Sequence, residues 1–595
     1  MVNQAKLRSY RTAPKYKYGY QVPHDYAQAV KLDKKAGNTK WQDATKLEMG
    51  QLDEYDTFKD HGLNGKPPDN YKKIKVHLIF DVKHDGRHKA RCVADGHLTD
   101  IPLGSVYSGV VSLRGLRLLV FLGELNGLGT WATDIGNAYL EAVTLEKVYI
   151  TAGPEFGERQ GHTLVIFKAL YGLRTSGQRW HGRFADCLRE MDFFPCKAEP
   201  DIWMRKNDDI YEYIAVYVDD IAVAAKDPKS ITDTLMEKYE FKLKGTGPIT
   251  FHLGCDFFRD KDGVMCMAPK RYIEKMIDSY ESMFGSKPKT TYSSPLEKGD
   301  HPETDMTELL DAEGIQKYQS LIGAMQWAVS IGRIDITTAV MTLSGFRTAP
   351  RIGHLDRAKR VYGYLAKMKH AVIRVRTEEP DFSDLPDQNF DWTWSVYGDA
   401  KELLPENAPE PLGKYVTMSH YVDANLFHDL LTGRSVTGIL HFVNKTPIDW
   451  YSKKQGTVET ATYGSEFVAA RTCTEQIIDL RTTLRYLGVP IRNKSYMFGD
   501  NKSVVDSSMT PHAKLHKRHM ALSFHRVREA IASKIIGFYH IPGDDNPADI
   551  LSKHWGYQQV WKLLNPLLFW QGDTLDILKL DPKKNTKNGN KNWHG

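Results

Sequence analysis

The chain has 595 residues, of which 41% are hydrophobic, and its formal net charge is +6. This length predicts two or three domains, and no apolar run approaches the ~18 residues of a membrane span. No apolar leader-like segment opens the sequence, and the six cysteines lack C-x-x-C spacing, which favours reduced thiols in an intracellular protein.

Positive charge is concentrated at the two ends of the sequence. Residues 1–40 hold nine Lys and Arg against two Asp, and residues 581–595 hold four Lys against one Asp. The rest of the chain is therefore slightly acidic. We expect a flexible basic arm at each end that neutralises phosphate groups, although solubilising tails are an equally good interpretation.

The first ordered elements are expected from Trp41. Apolar residues recur at helical spacing over Trp41–Leu63, which predicts a helix. Lys72–Gly96 then alternates as two strands around a turn at residues 84–86, and this hairpin carries Lys83, Lys89 and Arg91. A basic β-hairpin can fold over a triphosphate, but an ordinary charged hairpin fits the pattern about as well.

Three aspartates follow apolar runs farther along the chain. Asp134 ends a short run, and Asp219 and Asp220 stand between the apolar halves of Ile210–Lys226, which predicts a β-hairpin with acids at its turn. Two carboxylates about 4 Å apart repel by roughly 4 kcal/mol at an effective dielectric near 20, so keeping both ionised requires a cation. We expect Asp134 to join the pair, which requires the two strand ends to lie side by side. Without that partner, a surface turn would be the better interpretation.

Several motifs resemble those of a known family. D-x-x-x-A-Y from Asp134 and Y-V-D-D ending at Asp220 resemble the palm of a reverse transcriptase. K-A-R-C-V-A-D-G at residues 89–96 and K-A-L-Y-G-L-R-T-S-G-Q-R-W at residues 168–180 are similar to motifs of copia-type LTR retrotransposon Pol polyproteins. Residues 175–177 are Thr-Ser-Gly where that family has Gln-Ala-Pro, so a rigid φ is lost and we expect altered template contact.

The resemblance implies an α+β multidomain protein: a right-hand polymerase with fingers, palm and thumb, followed by an α/β ribonuclease H-like domain. The three aspartates would hold two Mg²⁺ ions, or Mn²⁺, that align a primer 3′-hydroxyl with a dNTP. Lys83 and Arg91 would contact the triphosphate. Tyr139 would stack under the sugar and exclude a 2′-hydroxyl, with core packing as the alternative.

The primer end has its own expected contacts. Pro248–Asp256 resembles the family's primer-gripping hairpin, with Phe251, Leu253 and Gly254 at its centre. Such a hairpin touches the nucleic-acid backbone, so it implies no sequence selectivity. Helical segments over Tyr318–Lys369 resemble the thumb.

A strongly acidic stretch follows the expected thumb. Glu378–Glu410 contains ten acids against one Lys, together with several prolines. This composition predicts a linker or an insertion that extends by charge repulsion and repels nucleic acid.

Four acids in the last third of the chain recur at the ends of predicted elements. Asp423 lies in a strand, Glu466 near the start of a long amphipathic helix, Asp500 at a strand end and Asp549 just inside a helix. This order resembles ribonuclease H, where such acids hold two Mg²⁺ ions that support cleavage of the RNA strand of a hybrid. Each acid alone would more often be a surface residue or a helix cap. The acids at residues 544–545 are alternatives for the last position, but Asp549 lies in the matched string A-D-I-L-S-K.

The expected segments are a basic arm (1–40), fingers and palm (41–250), primer grip, thumb and connection (251–371), an acidic linker (372–413), a ribonuclease H-like domain (414–556) and a C-terminal segment with a basic tail (557–595). The resemblance implies an RNA-directed DNA polymerase with ribonuclease H activity that copies retrotransposon RNA. The expected partners are an RNA template, a DNA primer, their hybrid, dNTPs and other Gag and Pol products, with no membrane. We expect it in cytoplasmic virus-like particles and in the nucleus. The alternative is a decayed or domesticated copy that binds nucleic acid without catalysis.

Overall fold

The structure, a computed structural model, describes residues 15–17, 19–83, 86–102, 104–515, 518–556, 562–564 and 567–570. The first part of the expected basic arm, the tip of the hairpin at residues 84–85 and the basic tail lie outside the described residues. Among those described, no helix combines the length and apolar character needed to cross a bilayer. All six cysteines are buried free thiols.

The N-terminal part forms one apolar core around small sheets. Strands β5 (Val76–Val82) and β6 (His88–Ala94) form the expected antiparallel hairpin, and the helix α2 (Lys40–Glu54) packs on it with Trp41 against Phe80. Strands β3 and β4 join β8 and β9 in a four-stranded sheet. The elements are β1 (Lys15–Lys17), β2 (Tyr20–Val22), α1 (Tyr26–Ala36), α2 (Lys40–Glu54), β3 (Phe58–Leu63), β4 (Lys72–Lys73), β5 (Val76–Val82), β6 (His88–Ala94), β8 (Val148–Thr151) and β9 (His162–Ile166).

A six-stranded antiparallel sheet, ordered β10-β11-β12-β13-β7-β14, carries the first three aspartates. The apolar runs of β12 and β13 are buried on both faces, because α3 covers one side of the sheet and α4 the other. The elements are α3 (Leu113–Asn126), β7 (Gly129–Ile135), α4 (Ser176–Glu190), β10 (Phe194–Pro195), β11 (Ile202–Asn207), β12 (Ile210–Tyr217), β13 (Asp220–Ala225), α5 (Pro228–Glu237) and β14 (Leu243–Pro248).

The next part combines helices with a five-stranded sheet ordered β15-β16-β17-β18-β24. The described residues of the C-terminal segment complete this part, since β24 pairs with β18 and Leu564 and Leu568 are buried. The elements are β15 (Phe251–His252), β16 (Cys255–Arg259), β17 (Met265–Ala268), α6 (Lys270–Phe284), α7 (Ala312–Ser330), α8 (Thr337–Ser344), α9 (Ile352–Lys367), β18 (Ala371–Arg374) and β24 (Phe569–Trp570).

The last part is an α/β unit whose sheet has the strand order β21-β20-β19-β22-β23. The first three strands form an antiparallel meander, and β22 and β23 add in parallel. The elements are β19 (Met418–Asn425), β20 (Val436–Val443), β21 (Thr446–Lys454), α10 (Thr462–Tyr486), β22 (Ser495–Gly499), α11 (Lys502–Met509), α12 (Ala521–Ala532), β23 (Ile536–His540) and α13 (Asp549–Ser552). Short 3₁₀ helices elsewhere in the chain are Gly96–Leu98, Ala138–Glu141, Pro154–Arg159, Pro302–Thr304, Ile334–Ile336, Arg518–Met520 and Gly543–Asp545.

Two expectations for the N-terminal region are wrong. The flexible arm expected over residues 1–40 is folded from residue 15, where β1 pairs with β2. The buried Asp33 of α1 accepts hydrogen bonds from the backbone N–H groups of Trp41 and Gln42 at 3.1 and 2.9 Å. These contacts cap the next helix and lock the two together. The helix expected over Trp41–Leu63 ends at Glu54, and Phe58–Leu63 is a strand because it pairs with β9.

The acidic segment, residues 378–410, is also not the extended linker that its composition predicts. Glu379 pairs with Arg492, and the side chain of Trp392 is buried in the core of the last α/β unit. Glu402 accepts hydrogen bonds from Arg481 at 2.8 and 2.9 Å and from Arg485 at 2.7 Å. These arginines draw the segment onto the unit, so its acids neutralise local positive charge.

We expect Glu402→Gln to destabilise the last α/β unit by about 2 kcal/mol, because the buried Arg481 loses its counter-charge. The two arginines hold the pKa of Glu402 below its ordinary value against the opposing effect of burial. Thermal unfolding and, separately, urea titration of the unchanged chain and the variant measure the change in the free energy of unfolding. The exposed Glu406 of the same segment provides the control variant Glu406→Gln, and equal midpoints for both variants would contradict the expectation.

Candidate active sites

The first candidate site lies where β7 meets β13. These strands are antiparallel neighbours, and Asp220 at the start of β13 is the direct cross-strand partner of Asp134 near the end of β7. Asp219 precedes Asp220 in the turn, and its backbone carbonyl accepts a hydrogen bond from the N–H of Ile135 at 2.8 Å. The structure therefore brings together the three aspartates that the sequence analysis grouped. Like charges opposite each other destabilise a sheet, which indicates a site built to receive a cation.

The turn that presents Asp219 has an unusual backbone. Val218 has φ 62°, a left-handed conformation that is costly for a β-branched residue and that two-residue hairpins normally assign to Gly or Asn. Trp180 is buried near the start of α4, and its Nε1–H donates to the carbonyl oxygen of Val218 at 2.8 Å. The Trp at the end of the L-Y-G-L motif thus holds the turn in place.

Burial and mutual repulsion make the first acids reluctant to ionise. Burial raises the pKa of Asp220 to about 6, and the charges of Asp219 and Asp134 add to this effect. The pKa of Asp134 is also raised, by burial and then by Asp219, although Lys244, Lys89 and other lysines oppose the shift. Carboxylate oxygens held in this way are ligands that hard divalent cations prefer.

The residues expected to contact nucleotide lie near these acids. Tyr139 is half-buried, with its ring centroid 4.8 Å from that of Tyr171, and the guanidinium of Arg91 lies 4.6 Å from the same Tyr171 ring. Lys83 is exposed on the hairpin, and its charge favours ionisation of Asp134. The charge of Asp219 acts on both tyrosines, so these side chains lie near the aspartate cluster.

The expected primer-gripping residues lie in the β15–β16 hairpin, with Phe251 on β15 and Leu253 and Gly254 in the turn. Leu253 and Gly254 both have positive φ, 47° and 88°, and a Cβ on Gly254 would lie 3.2 Å from Nε1 of Trp327 on α7. Phe251 is 38% exposed, with the guanidinium of Arg271 4.4 Å from its ring centre. The hairpin therefore presents an aromatic ring to solvent while its turn packs closely on α7.

The second candidate site lies in the last α/β unit. Asp423 on β19, Glu466 on α10 and Asp500 after β22 each offer a carboxylate oxygen, and these oxygens lie within 4.8 Å of one another. Asp549 at the start of α13 joins them through Lys553, whose Nζ pairs with Asp549 and lies 3.4 Å from the carboxylate of Asp423. The four acids come together from strand, helix, strand end and helix start.

The second cluster is more deeply buried than the first. Glu466 is 6% exposed, and burial followed by the charges of Asp423 and Asp500 raises its pKa well above the ordinary value. Burial and Asp423 raise the pKa of Asp500 to about 6. The alternative acid Asp545 instead pairs with Lys562 at 3.0 Å. This donor set also fits a divalent cation.

Comparison with known proteins shows what the region around the first site resembles. A family model described as reverse transcriptase (RNA-dependent DNA polymerase) matches residues 63–295, which contain the three aspartates. Residues 63–295 are therefore similar to a reverse transcriptase domain. The chain is similar to the retrovirus-related Pol polyprotein from transposon TNT 1-94 of Nicotiana tabacum, with 24% identity over 86% of this chain and 36% of the relative. It is 23% identical to that from transposon RE1 of Arabidopsis thaliana, over 93% of this chain and 36% of the relative.

The chain thus spans about a third of the length of these curated relatives. Among solved structures, it is similar to a foamy viral protease-reverse transcriptase in complex with an RNA/DNA hybrid, with 14% identity, a TM-score of 0.40 and coverage of 84% of this chain and 63% of that one. A structure of LC11-RNase H1 in complex with an RNA/DNA hybrid matches 23% of this chain and 94% of its own, with 16% identity and a TM-score of 0.19.

The structure adds residues that the sequence analysis did not select for the two sites. In the first cluster they are Trp180, Tyr171 and Lys89, whose charge acts on Asp134. In the other cluster they are Lys553 and Ser552, whose hydroxyl donates to Asp423. Tyr171 and Trp180 belong to the quoted string at residues 168–180, and Ser552 and Lys553 belong to A-D-I-L-S-K. Closer attention to these two motifs could have found all four residues, whereas Lys89 belongs to the basic hairpin.

A pH experiment without divalent cations tests the buried carboxyls. A pKa raised to about 6 in the folded state means that Asp500 contributes stability that is fully present below its ordinary pKa of 3.8 and is lost as the pH rises through about 6. We expect the melting temperature of Asp500→Asn minus that of the unchanged chain to grow between pH 4 and pH 7 in EDTA. A constant difference across this range would contradict the assignment.

Proposed function

We propose that this chain is an RNA-directed DNA polymerase joined to a ribonuclease H, which copies the RNA of a retrotransposon and degrades the RNA of the resulting hybrid. The observation that carries the proposal is the presence, in one chain, of two separate carboxylate clusters: Asp134 with Asp219 and Asp220 in a reverse transcriptase domain, and Asp423 with Glu466 and Asp500 in an α/β unit.

The carboxylates would hold Mg²⁺, with Mn²⁺ as a substitute, because both clusters offer only oxygen ligands at the metal position. When bound, a metal pair supplies Lewis-acid stabilisation of the attacking and leaving oxygens of a phosphoryl transfer. Asp134 and Asp220 sit on rigid neighbouring strands, so their oxygens are held in place before substrate arrives. The turn residue Asp219 is fixed by its own backbone hydrogen bond to β7.

Other side chains of the reverse transcriptase domain would bind and orient the substrates. Lys83, Lys89 and Arg91 place positive charge where a dNTP triphosphate would lie, beside the aspartates. Tyr139 is braced by Tyr171 and would exclude a 2′-hydroxyl. The exposed Phe251 and the β15–β16 turn would contact the primer backbone.

The nuclease cluster would act on the RNA strand of the hybrid. Asp423 and Asp549 are linked by the ammonium of Lys553, which neutralises part of the charge of the cluster. The RNA 2′-hydroxyl distinguishes the strand to be cut from DNA. The proposed partners are therefore an RNA template, a DNA primer, dNTPs and the hybrid, with Gag and other Pol products of the same element.

Primer extension on an RNA template with Mg²⁺ and dNTPs tests the proposal, alongside cleavage of a labelled hybrid. We expect Asp219→Asn to lose extension and retain cleavage, and Asp423→Asn to do the reverse. Equal extension by the unchanged chain and Asp219→Asn would overturn the polymerase assignment. Binding of the hybrid with neither activity in the unchanged chain would favour a domesticated nucleic-acid-binding protein.

A further inference from the structure

One buried arginine of the reverse transcriptase domain contacts two other parts of the molecule. Arg117 on α3 is 6% exposed. Its Nε–H donates to the carbonyl oxygen of Ile448 on β21 at 2.6 Å, and its Nη1–H donates to the carbonyl oxygen of Ser330 at the end of α7 at 2.9 Å. The guanidinium also lies 4.3 Å from the ring centre of Trp450. A single side chain therefore joins palm, thumb and nuclease unit.

Burying the charged side chain of Arg117 costs folding free energy, which only a useful geometry would justify. Burial lowers the pKa of Arg117, and the nearest carboxylate, that of Asp449, lies 3.7 Å away and is partly exposed. A well-packed apolar side chain of similar volume would avoid the desolvation cost. The two carbonyl groups, however, can be reached together only when α3, α7 and β21 hold one relative position, because hydrogen bonds weaken steeply with distance and angle.

The surroundings of Arg117 form a continuous interface. Arg114, one turn earlier on α3, pairs with Asp479 of α10 at 2.7 Å. The hydroxyl of Tyr213 on β12 donates to the carbonyl oxygen of Leu487 at 2.9 Å. Buried apolar residues of the palm, thumb and nuclease unit belong to one core. The nuclease unit is thus docked directly on the helix that supports the first aspartates.

We propose that Arg117 is a positioning residue that fixes the nuclease acids at a set distance from the polymerase acids. It thereby sets where the RNA of a hybrid is cut relative to the primer 3′-end. This inference rests on the proposed function of the two sites. Arg117 acts through hydrogen bonds to backbone carbonyl groups and touches no substrate, so it governs the place of cleavage more than the rate of cleavage.

The test compares Arg117→Met with Arg528→Met. Arg528 is an equally buried arginine that donates to the carbonyl oxygens of Ser507, Thr510 and Pro511, all within the nuclease unit. Both variants lose a buried guanidinium, but only Arg117→Met removes hydrogen bonds that join the palm to the thumb and to the nuclease unit. The assay maps cut positions in end-labelled RNA annealed to a primer of fixed 3′-end. We expect Arg117→Met to spread the cuts over about twice as many positions as in the unchanged chain. Arg117→Lys should restore part of the narrow pattern. Arg528→Met should keep the narrow pattern of cut positions even if it lowers the rate of cleavage.

A spectroscopic distance measurement addresses the same point without activity. Spin labels at the exposed positions Lys229→Cys on α5 and Lys502→Cys on α11 report the separation of palm and nuclease unit, since the native cysteines are buried. We expect a narrow distance distribution that broadens in Arg117→Met and not in Arg528→Met. An unchanged distribution and unchanged cut positions would overturn the proposal, whereas absence of both activities from the unchanged chain would instead refute the proposed function.

Discussion

Replacing Asp134 by Asn is expected to reduce primer extension by about 10³-fold or more, a loss of ~4 kcal/mol of transition-state stabilisation that fits removal of a metal ligand. Asp134 stands directly opposite Asp220 on neighbouring strands, so an amide at this position weakens the cation site without altering the shape of the sheet. Steady-state extension of a DNA primer on RNA measures the loss.

The same substitution should make the metal-free protein more stable. The charge of Asp134 helps to raise the pKa of Asp220, and neutralising one acid relieves that repulsion. Asp233 on α5 pairs with Lys229 away from the site, so Asp233→Asn is the control and should leave extension unchanged. Loss of extension together with a fall in melting temperature would indicate misfolding and contradict the ligand role.

The strands that carry the first site could be predicted because their signals are local. The apolar runs around Asp219 and Asp220 are long, rich in Val, Ile and Ala, and broken only by the acids, as a strand buried on both faces requires. The pairing with Asp134 is less local, because it required two strand ends far apart in the sequence to lie side by side, as β7 and β13 do. No local pattern could show the left-handed backbone of Val218, because that conformation depends on the distant Trp180.

The predictions that proved wrong have a common physical cause, which is contact between residues that are far apart in the sequence. Helix α1 is polar, and its attachment depends on Asp33 capping the next helix, a role that composition does not reveal. The acidic segment was expected to extend by charge repulsion. Its Glu402 instead meets Arg481 and Arg485, about 80 positions later in the sequence. Tertiary pairing of this kind overrides composition.

The contact of Lys553 with the second cluster could have been predicted from the sequence. It follows Asp549 by four residues, a spacing that brings side chains together on one helical turn, and the structure pairs the two. The cluster of four acids could be assembled from the resemblance, but the degree of burial of Glu466 could not. That burial depends on α10 lying across β19 and β20.

Glu466→Gln is expected to reduce hybrid cleavage by about 10³-fold or more while raising the melting temperature of the metal-free protein. Glu466 is almost fully buried beside Asp423 and Asp500, and burial together with their charges holds its pKa well above the ordinary value. The amide keeps the size of the side chain and removes the charge that the fold accommodates poorly. Calorimetry in EDTA and cleavage of a labelled hybrid give the two readouts.

The opposite signs of these two effects separate a metal ligand from a structural residue. Glu475 lies on the exposed side of the same helix and pairs with Arg471 at 3.0 Å, so Glu475→Gln should change neither cleavage nor stability appreciably. Because a ligand that binds only the folded state stabilises it, adding Mg²⁺ should raise the melting temperature of the unchanged chain more than that of Glu466→Gln. Equal Mg²⁺ responses, or full cleavage by the variant, would show that the second cluster does not hold the metal.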